Sequence, residues 1–273
     1  MFARARKSFV LPAALVVLAA FGVLTYRSRV DLLYLQEPAI LSGWVLVGLF
    51  LFLGLFNVRK KFPNLPLGRM SFWLYLHALV GLLAAGVYFL HTGALWPRGG
   101  YERMIAGLFY LVALTGIVGY VYQRLAPRLL TQVGYEIIWE RIPAEIARLR
   151  KQAEGCVLHC SNETGSPVLG RHYLECLQWY FRKPRFLVSS AISLQTGESW
   201  VDKQIDAVRR YLNEAETVHL ERLRELARVK ARVDKHYAIQ GLLKLWLFLH
   251  LPLTLGLLIA VGWHVALVHV YGI

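Results

Sequence analysis

Acidic residues and cysteines are scarce in this chain, and the common enzyme motifs are absent. The 273 residues include 17 Asp and Glu against 31 Lys and Arg, which gives a formal net charge of +14. Such a charge is typical of nucleic-acid-binding proteins, but no recognition motif of that class occurs, so nucleic acid is not expected as a partner. No Gly-x-Gly-x-x-Gly follows a strand, so no dinucleotide site is expected. No serine, histidine and acid constellation or carboxylate pair suggests hydrolysis.

Apolar residues dominate what is present. Hydrophobic types make up 56% of the chain, and its mean hydropathy is +0.44, well above that of an ordinary soluble domain. About 20 apolar residues are needed to cross the roughly 30 Å hydrocarbon core of a bilayer. The sequence therefore predicts an all-α membrane protein with five transmembrane helices. Their expected ranges are residues 8–26, 39–57, 70–90, 104–122 and 242–268.

The charges in the short loops predict the orientation. The loops on one side carry basic residues without acids, whereas acids offset the basic residues on the other side, and basic loops remain in the cytoplasm. We therefore expect a cytoplasmic N-terminus and, after five spans, an external C-terminus. The first span lacks a small-x-small cleavage site, which favours a retained anchor over a signal peptide. The cytoplasmic set is Arg4, Arg6, Lys7, Arg59, Lys60, Lys61 and Arg69; the external set is Arg27, Arg29, Arg98 and Arg103 with Asp31, Glu37 and Glu102.

A long polar segment interrupts the membrane pattern between the fourth and fifth spans. It divides the chain into the first four spans (1–122), a cytoplasmic and mainly helical insertion (123–241) and the last span (242–273). The basic and aromatic stretch LQWYFRKPRFL in this insertion predicts a docking or membrane-surface patch.

Apolar spacing predicts two long helices in the insertion. The first is expected to end at Gly155, an irregular region follows, and the second begins near Ser199. No proline interrupts the second helix before Pro252, so we expect it to enter the last span without a break. His219 and His236 lie on this charged helix and are expected to be solvated.

Four histidines occupy matching positions within the apolar runs. His77 and His91 lie near the two ends of the stretch LYLHALVGLLAAGVYFLHTG, and His250 and His264 have the same fourteen-residue separation in the last run. Fourteen residues of α-helix rise about 21 Å and return to within about 40° of the starting face. Both helices run outward in the expected topology, which pairs His77 with His250 on an inner level and His91 with His264 on an outer level.

These two pairs predict haem ligation. An ionisable residue inside a membrane is costly and marks a functional candidate, and two imidazoles supply both axial ligands of a haem iron. Zinc would need four ligands, and no cysteine or carboxylate stands near the histidines within these spans. Taken singly, each histidine could instead be a hydrogen-bonding or interfacial residue. His269 lies on another face and is interpreted as interfacial, with ligation of the outer haem as the alternative.

Glycines and basic residues near the histidines give weaker support. Gly81, Gly86, Gly256 and Gly262 would admit a flat macrocycle or, equally well, a packed helix. Haem propionates need basic partners at each interface. The candidates are Arg98 and Arg103 outside and Arg69, Lys60 and Lys61 inside.

The insertion contains all three cysteines, Cys156, Cys160 and Cys176, together with His159 and His172. The Cys-x3-Cys interval matches the usual zinc knuckle poorly, and the other candidates lack a recognised register. We therefore expect ordinary buried cysteines, with zinc or iron–sulfur ligation as the alternative. A structural disulfide is not expected in a cytoplasmic segment.

The set His77, His91, His250 and His264 resembles the ligand set of the membrane dihaem b-type cytochromes. The fourteen-residue interval is similar to that of the cytochrome b subunit of quinol–cytochrome c reductases, and the placement on the third and fifth spans is similar to the ferric reductase and NADPH oxidase transmembrane domain. The resemblance covers the five spans and implies two haem b groups. Two departures are clear: the sequence does not continue into a flavin and nicotinamide domain, and no Pro-Glu-Trp-Tyr segment marks a quinol oxidation site.

This resemblance implies a dihaem cytochrome subunit of a respiratory complex in a bacterial inner membrane. Such a subunit would carry electrons across the membrane between a quinone and protein partners. The expected partners are a flavin or iron–sulfur subunit docked on the insertion, a cytochrome c-type carrier outside, and membrane lipids. Two alternatives stay open: a stand-alone transmembrane reductase of ferric ion or oxygen, and a haem-free scaffold or proton-path protein.

Overall fold

The computed structural model describes residues 2–33, 38–61, 69–192 and 196–271, and none of these residues forms a strand. The all-α fold class is therefore confirmed for the described chain. A 3-10 turn, Trp139–Arg141, precedes α5, and a π-helical turn, Tyr173–Leu177, connects α6 to α7. The α-helices are α1 (Phe2–Leu33), α2 (Pro38–Lys61), α3 (Met70–Thr92), α4 (Gly100–Thr131), α5 (Ile142–Thr164), α6 (Val168–His172), α7 (Gln178–Arg182), α8 (Leu187–Ile192), α9 (Thr196–Arg209) and α10 (Glu214–Tyr271).

Five of these helices are long and apolar enough to cross a membrane. They are α1 (Pro12–Val30), α2 (Ala39–Phe56), α3, α4 and α10, and in α10 the apolar stretch is only part of the helix. Long apolar helices satisfy their own backbone hydrogen bonds, which is what a bilayer requires of a crossing segment. The chain is thus a multi-pass membrane protein. Its orientation stays a prediction, and Glu37, one of the loop residues used for it, lies outside the described residues.

The chain divides into two compact units, and the first, here called the span unit, comprises Met1–Tyr120 and Leu247–Ile273. Its core joins α2, α3, α4 and α10 through apolar side chains, with the rings of Tyr88 and Phe109 stacked at a centroid distance of 4.1 Å. α1 packs against α3, where a methyl group added at Gly86 would lie 2.7 Å from the ring of Phe21. The buried core residues are Leu46, Phe50, Ala84, Val87, Tyr88, Ala106, Phe109 and Leu257.

The second unit, here called the insert unit, is Val121–Trp246, close to the expected insertion 123–241. It has its own hydrophobic core, which draws on α5, α7, α9 and the polar half of α10. Tyr180 and Phe181 are fully buried in this core, and the Tyr180 hydroxyl donates a hydrogen bond to the Ala227 carbonyl at 3.2 Å. The prediction of a surface patch is therefore wrong for these two aromatic residues, because α7 turns its apolar face inward against α5.

The first insert helix extends beyond the expected end. α5 continues through Gly155 to Thr164, and Gly165, at a φ of 67°, caps it with a bond from its N–H to the Ser161 carbonyl at 3.0 Å. A helical glycine costs about 1 kcal/mol relative to alanine, which the buried face of α5 offsets. The region that follows is helical in α6, the π turn and α7, so the expectation of irregular chain is wrong there. It is confirmed for residues 165–167 and 183–186, which lie outside the helices.

The second insert helix is interrupted where the sequence suggested continuity. α9 ends at Arg209, and α10 begins at Glu214 behind a capping box in which Asn213 Oδ1 accepts from the Glu216 N–H at 2.8 Å. Glu216 Oε2 in turn accepts from the Asn213 N–H at 2.9 Å, so both orphan donors are satisfied. Beyond this cap α10 runs unbroken through Pro252 to Tyr271, as predicted.

Candidate functional site

The structure brings His91 of α3 and His264 of α10 together. Their ring centroids lie 6.5 Å apart, and their planes are inclined at 87°. Two imidazoles that share one metal ion, with bonds of about 2.0–2.1 Å, place their ligating nitrogens at most about 4 Å apart and their ring centres farther. The observed separation is therefore compatible with one metal centre held between the two rings.

A hydrogen bond to α2 assigns the tautomer of His91. The Nδ1 atom lies 2.9 Å from the Ala39 carbonyl oxygen and 3.3 Å from Ser42 Oγ. Because a carbonyl oxygen can only accept, Nδ1 is the protonated nitrogen and Nε2 carries the lone pair. Metal-ligating histidines almost always use their second nitrogen in this way, which fixes the ring and raises its basicity.

Gly43 makes the approach of α2 to His91 possible. A methyl group at Gly43 would lie 3.0 Å from Cε1 of His91, closer than an ordinary carbon contact. Any larger residue would require the imidazole or the helix to shift. Ala39, Ser42 and Gly43 were not predicted, since hydropathy does not show which helices are neighbours.

An apolar cavity of about 290 Å³ adjoins the two histidines. Its walls come from α2, α3, α4 and α10, and most of its lining is aliphatic or aromatic. Cofactor sites are typically concave and apolar with a few placed polar groups. Its lining includes Gly43, Leu46, Phe50, Tyr88, His91, Glu102, Phe109, Leu257, Val261, His264 and His269.

Tyr101 supports His264 from α4. The two rings are roughly parallel, with centroids 6.3 Å apart and an angle of 25° between their planes. The Tyr101 hydroxyl donates to the Ala260 carbonyl at 2.6 Å, one helical turn before His264. The tyrosine therefore links α4 to α10 beside the imidazole, a role that no pattern in the sequence predicts.

His250 has an environment parallel to that of His91. Its Nδ1 lies 2.9 Å from Thr115 Oγ1, whose own hydrogen is directed to the Leu111 and Val112 carbonyls at 2.8 and 3.1 Å. We therefore assign the proton to Nδ1 of His250 and the lone pair to Nε2. Gly116 corresponds to Gly43, because a methyl group added at Gly116 would lie 3.6 Å from the ring of His250.

His77 lies on α3 against α2. Its ring centroid is 4.9 Å from that of Phe56, in a tilted arrangement. The pairing of His77 with His250 on the inner level stays a prediction.

The other predicted contributors to the site have different surroundings. His269 packs edge-on against Trp44 with ring centroids 5.5 Å apart and lines the cavity, so both its interfacial interpretation and the alternative stay open. Gly86 serves helix packing against Phe21, whereas Gly81, Gly256 and Gly262 have no atom within 4 Å of an added methyl group. Among the glycines that the structure describes, Gly43 and Gly116 are the two at which an added methyl group would lie near a histidine ring.

The basic residues predicted to bind the haem propionates show few contacts that bear on this role. Arg103 Nε donates to the Gly99 carbonyl of its own helix start at 3.3 Å. The side chains of Lys60 and Lys61 lie outside the described residues. The assignment of Arg69, Arg98 and Arg103 to propionates stays a prediction.

The expectation of buried cysteines is confirmed for Cys160 alone, since Cys156 and Cys176 are partly exposed. All three are free, and burial raises the pKa of the Cys156 and Cys160 thiols, which disfavours the thiolate that a metal needs. The Cys156 thiol donates to the His219 carbonyl at 3.5 Å.

The expectation of solvated histidines on α10 is wrong. His236 is only 4% exposed, and its Nδ1 accepts a hydrogen bond from Gln240 Nε2 at 3.2 Å. The side chain of His219 is 16% exposed and contacts Glu163. Both residues lie on the face of α10 that packs into the insert unit, which charge content alone does not show.

The described residues fit a haem at the His91 and His264 level. The donor set is two imidazoles, the lone pair of His91 is directed away from its backbone partner, and the adjoining cavity is apolar. Imidazole pairs in apolar surroundings are typical axial ligands of haem iron. No family model, curated protein or solved structure matches the chain, so these residues carry the functional argument by themselves.

Proposed function

We propose that this protein is a dihaem b-type cytochrome subunit that carries electrons across a membrane. The observation that carries the proposal is the meeting of His91 and His264 beside an apolar cavity within a bundle of membrane-crossing helices. A second haem on His77 and His250 follows from the fourteen-residue repeat on both helices and from the matching Nδ1 environment of His250.

The residues of the chain would hold and tune the cofactor. A haem bound by two imidazoles supplies a one-electron carrier without an open coordination position. The Ala39 carbonyl and Thr115 Oγ1 orient the rings of His91 and His250 and keep the proton on Nδ1. The apolar walls around Leu46 and Phe109 exclude water, which lowers the local dielectric and disfavours uncompensated charge.

The proposal extends to the partners that would exchange electrons with the two haems. A quinone in the membrane, a flavin or iron–sulfur subunit on residues 123–241 and a cytochrome c-type carrier on the opposite side would complete the path. The basic loops of the span unit favour a cytoplasmic N-terminus. The membrane would be a bacterial inner membrane, as the resemblance to dihaem b-type cytochromes implies.

The test is the haem content of the purified full-length chain. Dithionite-reduced minus oxidised spectra and a pyridine haemochrome assay should show b-type haem at two per chain. His91→Ala and His264→Ala should each remove the same haem, and His77→Ala and His250→Ala should each remove the other. His159→Ala serves as the control, because this histidine is 72% exposed, belongs to the insert unit and should retain both haems.

Three outcomes contradict the proposal in different ways. A colourless wild-type protein would favour a haem-free scaffold or a proton path through the histidines. Full haem content in all four variants would reject the ligand assignment. Steady reduction of external ferric chelates or oxygen by the purified chain and an artificial donor would favour a stand-alone reductase over a subunit.

A further inference from the structure

Three side chains of the insert unit form a cluster of metal-ligand type. His159 and Glu163 lie four residues apart on α5, and His219 faces them from α10. Glu163 Oε2 is 3.3 Å from Nδ1 of His159 and 2.8 Å from Nε2 of His219. One ligand atom from each residue lies within 4.8 Å of the other two, and the imidazole centroids are 5.5 Å apart.

These distances agree with the geometry of a tetrahedral zinc site. Zinc bonds to imidazole nitrogen and carboxylate oxygen are about 2.0–2.2 Å, so neighbouring ligand atoms lie about 3.3 Å apart. Two of the three edges of the cluster are near that value. The third edge, between the ligand nitrogens of His159 and His219, can shorten by a side-chain rotation of His159. This side chain is free to move because it is 72% exposed.

The chemistry of the donors selects the class of metal. Two imidazoles with one carboxylate suit late first-row divalent ions such as zinc, whereas magnesium and calcium prefer oxygen ligands. His219 is the anchored ligand at 16% side-chain exposure, while His159 and Glu163 face solvent and leave a path of entry. A fourth position would remain for water.

We propose that His159, Glu163 and His219 bind one zinc-class divalent cation that cross-links α5 to α10 within the insert unit. The site is separate from the proposed haem function, because its ligands belong to the insert unit and the four haem histidines belong to the span unit. Its role is structural: the ion joins two helices that are distant in sequence and stabilises the unit by its binding free energy.

The test uses the full-length chain in detergent, purified with an affinity tag that contains no histidine. After treatment with EDTA, the protein is dialysed against zinc at increasing free concentrations, and bound zinc is counted by elemental analysis. We expect one zinc per chain, with binding weakened by about tenfold or more in His159→Ala, His219→Ala and Glu163→Gln. Zinc should also raise the thermal midpoint of the wild-type insert unit.

Two matched controls make the result decisive. Glu154→Gln removes an exposed carboxylate on the same helix, where it pairs with Arg150, and should bind zinc as the wild type does. Magnesium in large excess should not displace the ion. Because His159 is exposed, His159→Ala should fold normally, so unchanged zinc binding in this variant, or no binding by the wild type, overturns the proposal. Haem content, measured on the same samples, reports separately on the proposed function.

Discussion

Nδ1 of His91 lies 2.9 Å from the carbonyl oxygen of Ala39, a hydrogen bond that crosses from α3 to α2. The bond places the lone pair of His91 on Nε2, while His264 reaches the same region from α10. Three helices thus define one candidate metal centre: α3 and α10 provide the imidazoles, and α2 orients one of them. Changes on α2 should therefore alter the cofactor although α2 carries no ligand.

Replacement of Gly43 by alanine tests this role of α2. The new methyl group would lie 3.0 Å from Cε1 of His91, so the ring must turn or α2 must move outward. We expect loss of the haem on His91 and His264, and a stability cost of about 1–3 kcal/mol for overpacking. The haemochrome assay should then give about half the wild-type haem content. Gly48→Ala on the same helix, where no atom lies within 4 Å, should leave the haem content unchanged and should not lower stability, because alanine favours a helix over glycine. Equal haem loss in both variants would contradict this account.

Replacement of Thr115 by valine tests the partner of His250. The change keeps the side-chain shape but removes the oxygen at 2.9 Å that accepts the Nδ1 hydrogen. The imidazole then becomes a poorer electron donor, so the midpoint potential of the haem on His250 should rise and its affinity should fall about 10–100-fold. Redox titration of each haem measures the effect.

The control for this prediction is Thr25→Val. The Thr25 hydroxyl donates to carbonyls of its own helix, at 2.9 Å from Phe21 and 2.8 Å from Gly22, and so reproduces the loss of a helical hydroxyl away from any histidine. An equal potential shift in both variants would show that the hydroxyl acts on the bundle rather than on His250.

The membrane pattern was predictable because it depends on period and length alone. Apolar runs of about 20 residues and the fourteen-residue histidine interval follow from the dimensions of a bilayer and a helix. The five helices are confirmed, and the structure brings His91 and His264 together. Their use as haem ligands remains the proposal.

The neighbours of the histidines were not predictable in the same way. Helix contacts depend on which faces meet, and hydropathy is the same on all sides of a buried apolar helix. A signal was nevertheless present: a hydroxyl residue followed by glycine contacts each of two histidines, Ser42-Gly43 at His91 and Thr115-Gly116 at His250. Two such dipeptides within apolar runs predict close, hydrogen-bonded approach to a polar side chain.

The errors in the insert unit have the same origin. Gly155 was expected to end α5, but a glycine ends a helix only where the chain needs a positive φ, and that position is Gly165. His219 and His236 were expected to be solvated because charged residues surround them in sequence. Their burial depends on the partner helices, which no local pattern specifies.

A buried ion pair in the insert unit predicts that single variants lose more stability than the double variant. Lys230 Nζ lies 2.6 Å from Asp234 Oδ2 and 2.8 Å from the Lys183 carbonyl, and the two side chains are 0% and 3% exposed. Asp234→Ala leaves a buried ammonium without its counter-ion and should cost about 3–5 kcal/mol. Denaturant unfolding of the full chain measures the loss in unfolding free energy, with hydrogen exchange in α7 and α10 as the probe of the insert unit.

The double variant Lys230→Met with Asp234→Leu should be less destabilised than either single variant, because no charge remains to be desolvated. The exposed pair Arg150 and Glu154 is the matched comparison, since its four-residue spacing is the same. Its removal should cost no more than about 1 kcal/mol. Additive losses at Lys230 and Asp234 would show that the pair contributes nothing by its coupling.

Acid should weaken the insert unit partly through His172. Burial lowers the pKa of this histidine, and its buried Nε2 has no hydrogen-bond partner within the described residues. The unfolded chain takes up a proton near pH 6.5 and the folded chain only at lower pH, so unfolding binds protons in that window and stability falls as the pH falls below about 6.5. His172→Gln cannot take up this proton and should flatten the decline in stability between about pH 7 and 5.

The residual slope comes in part from His236, whose pKa burial also lowers. Thermal unfolding at several pH values, with His269→Gln as a control on an exposed histidine, measures the effect. A wild-type slope in His172→Gln would show that acid acts elsewhere.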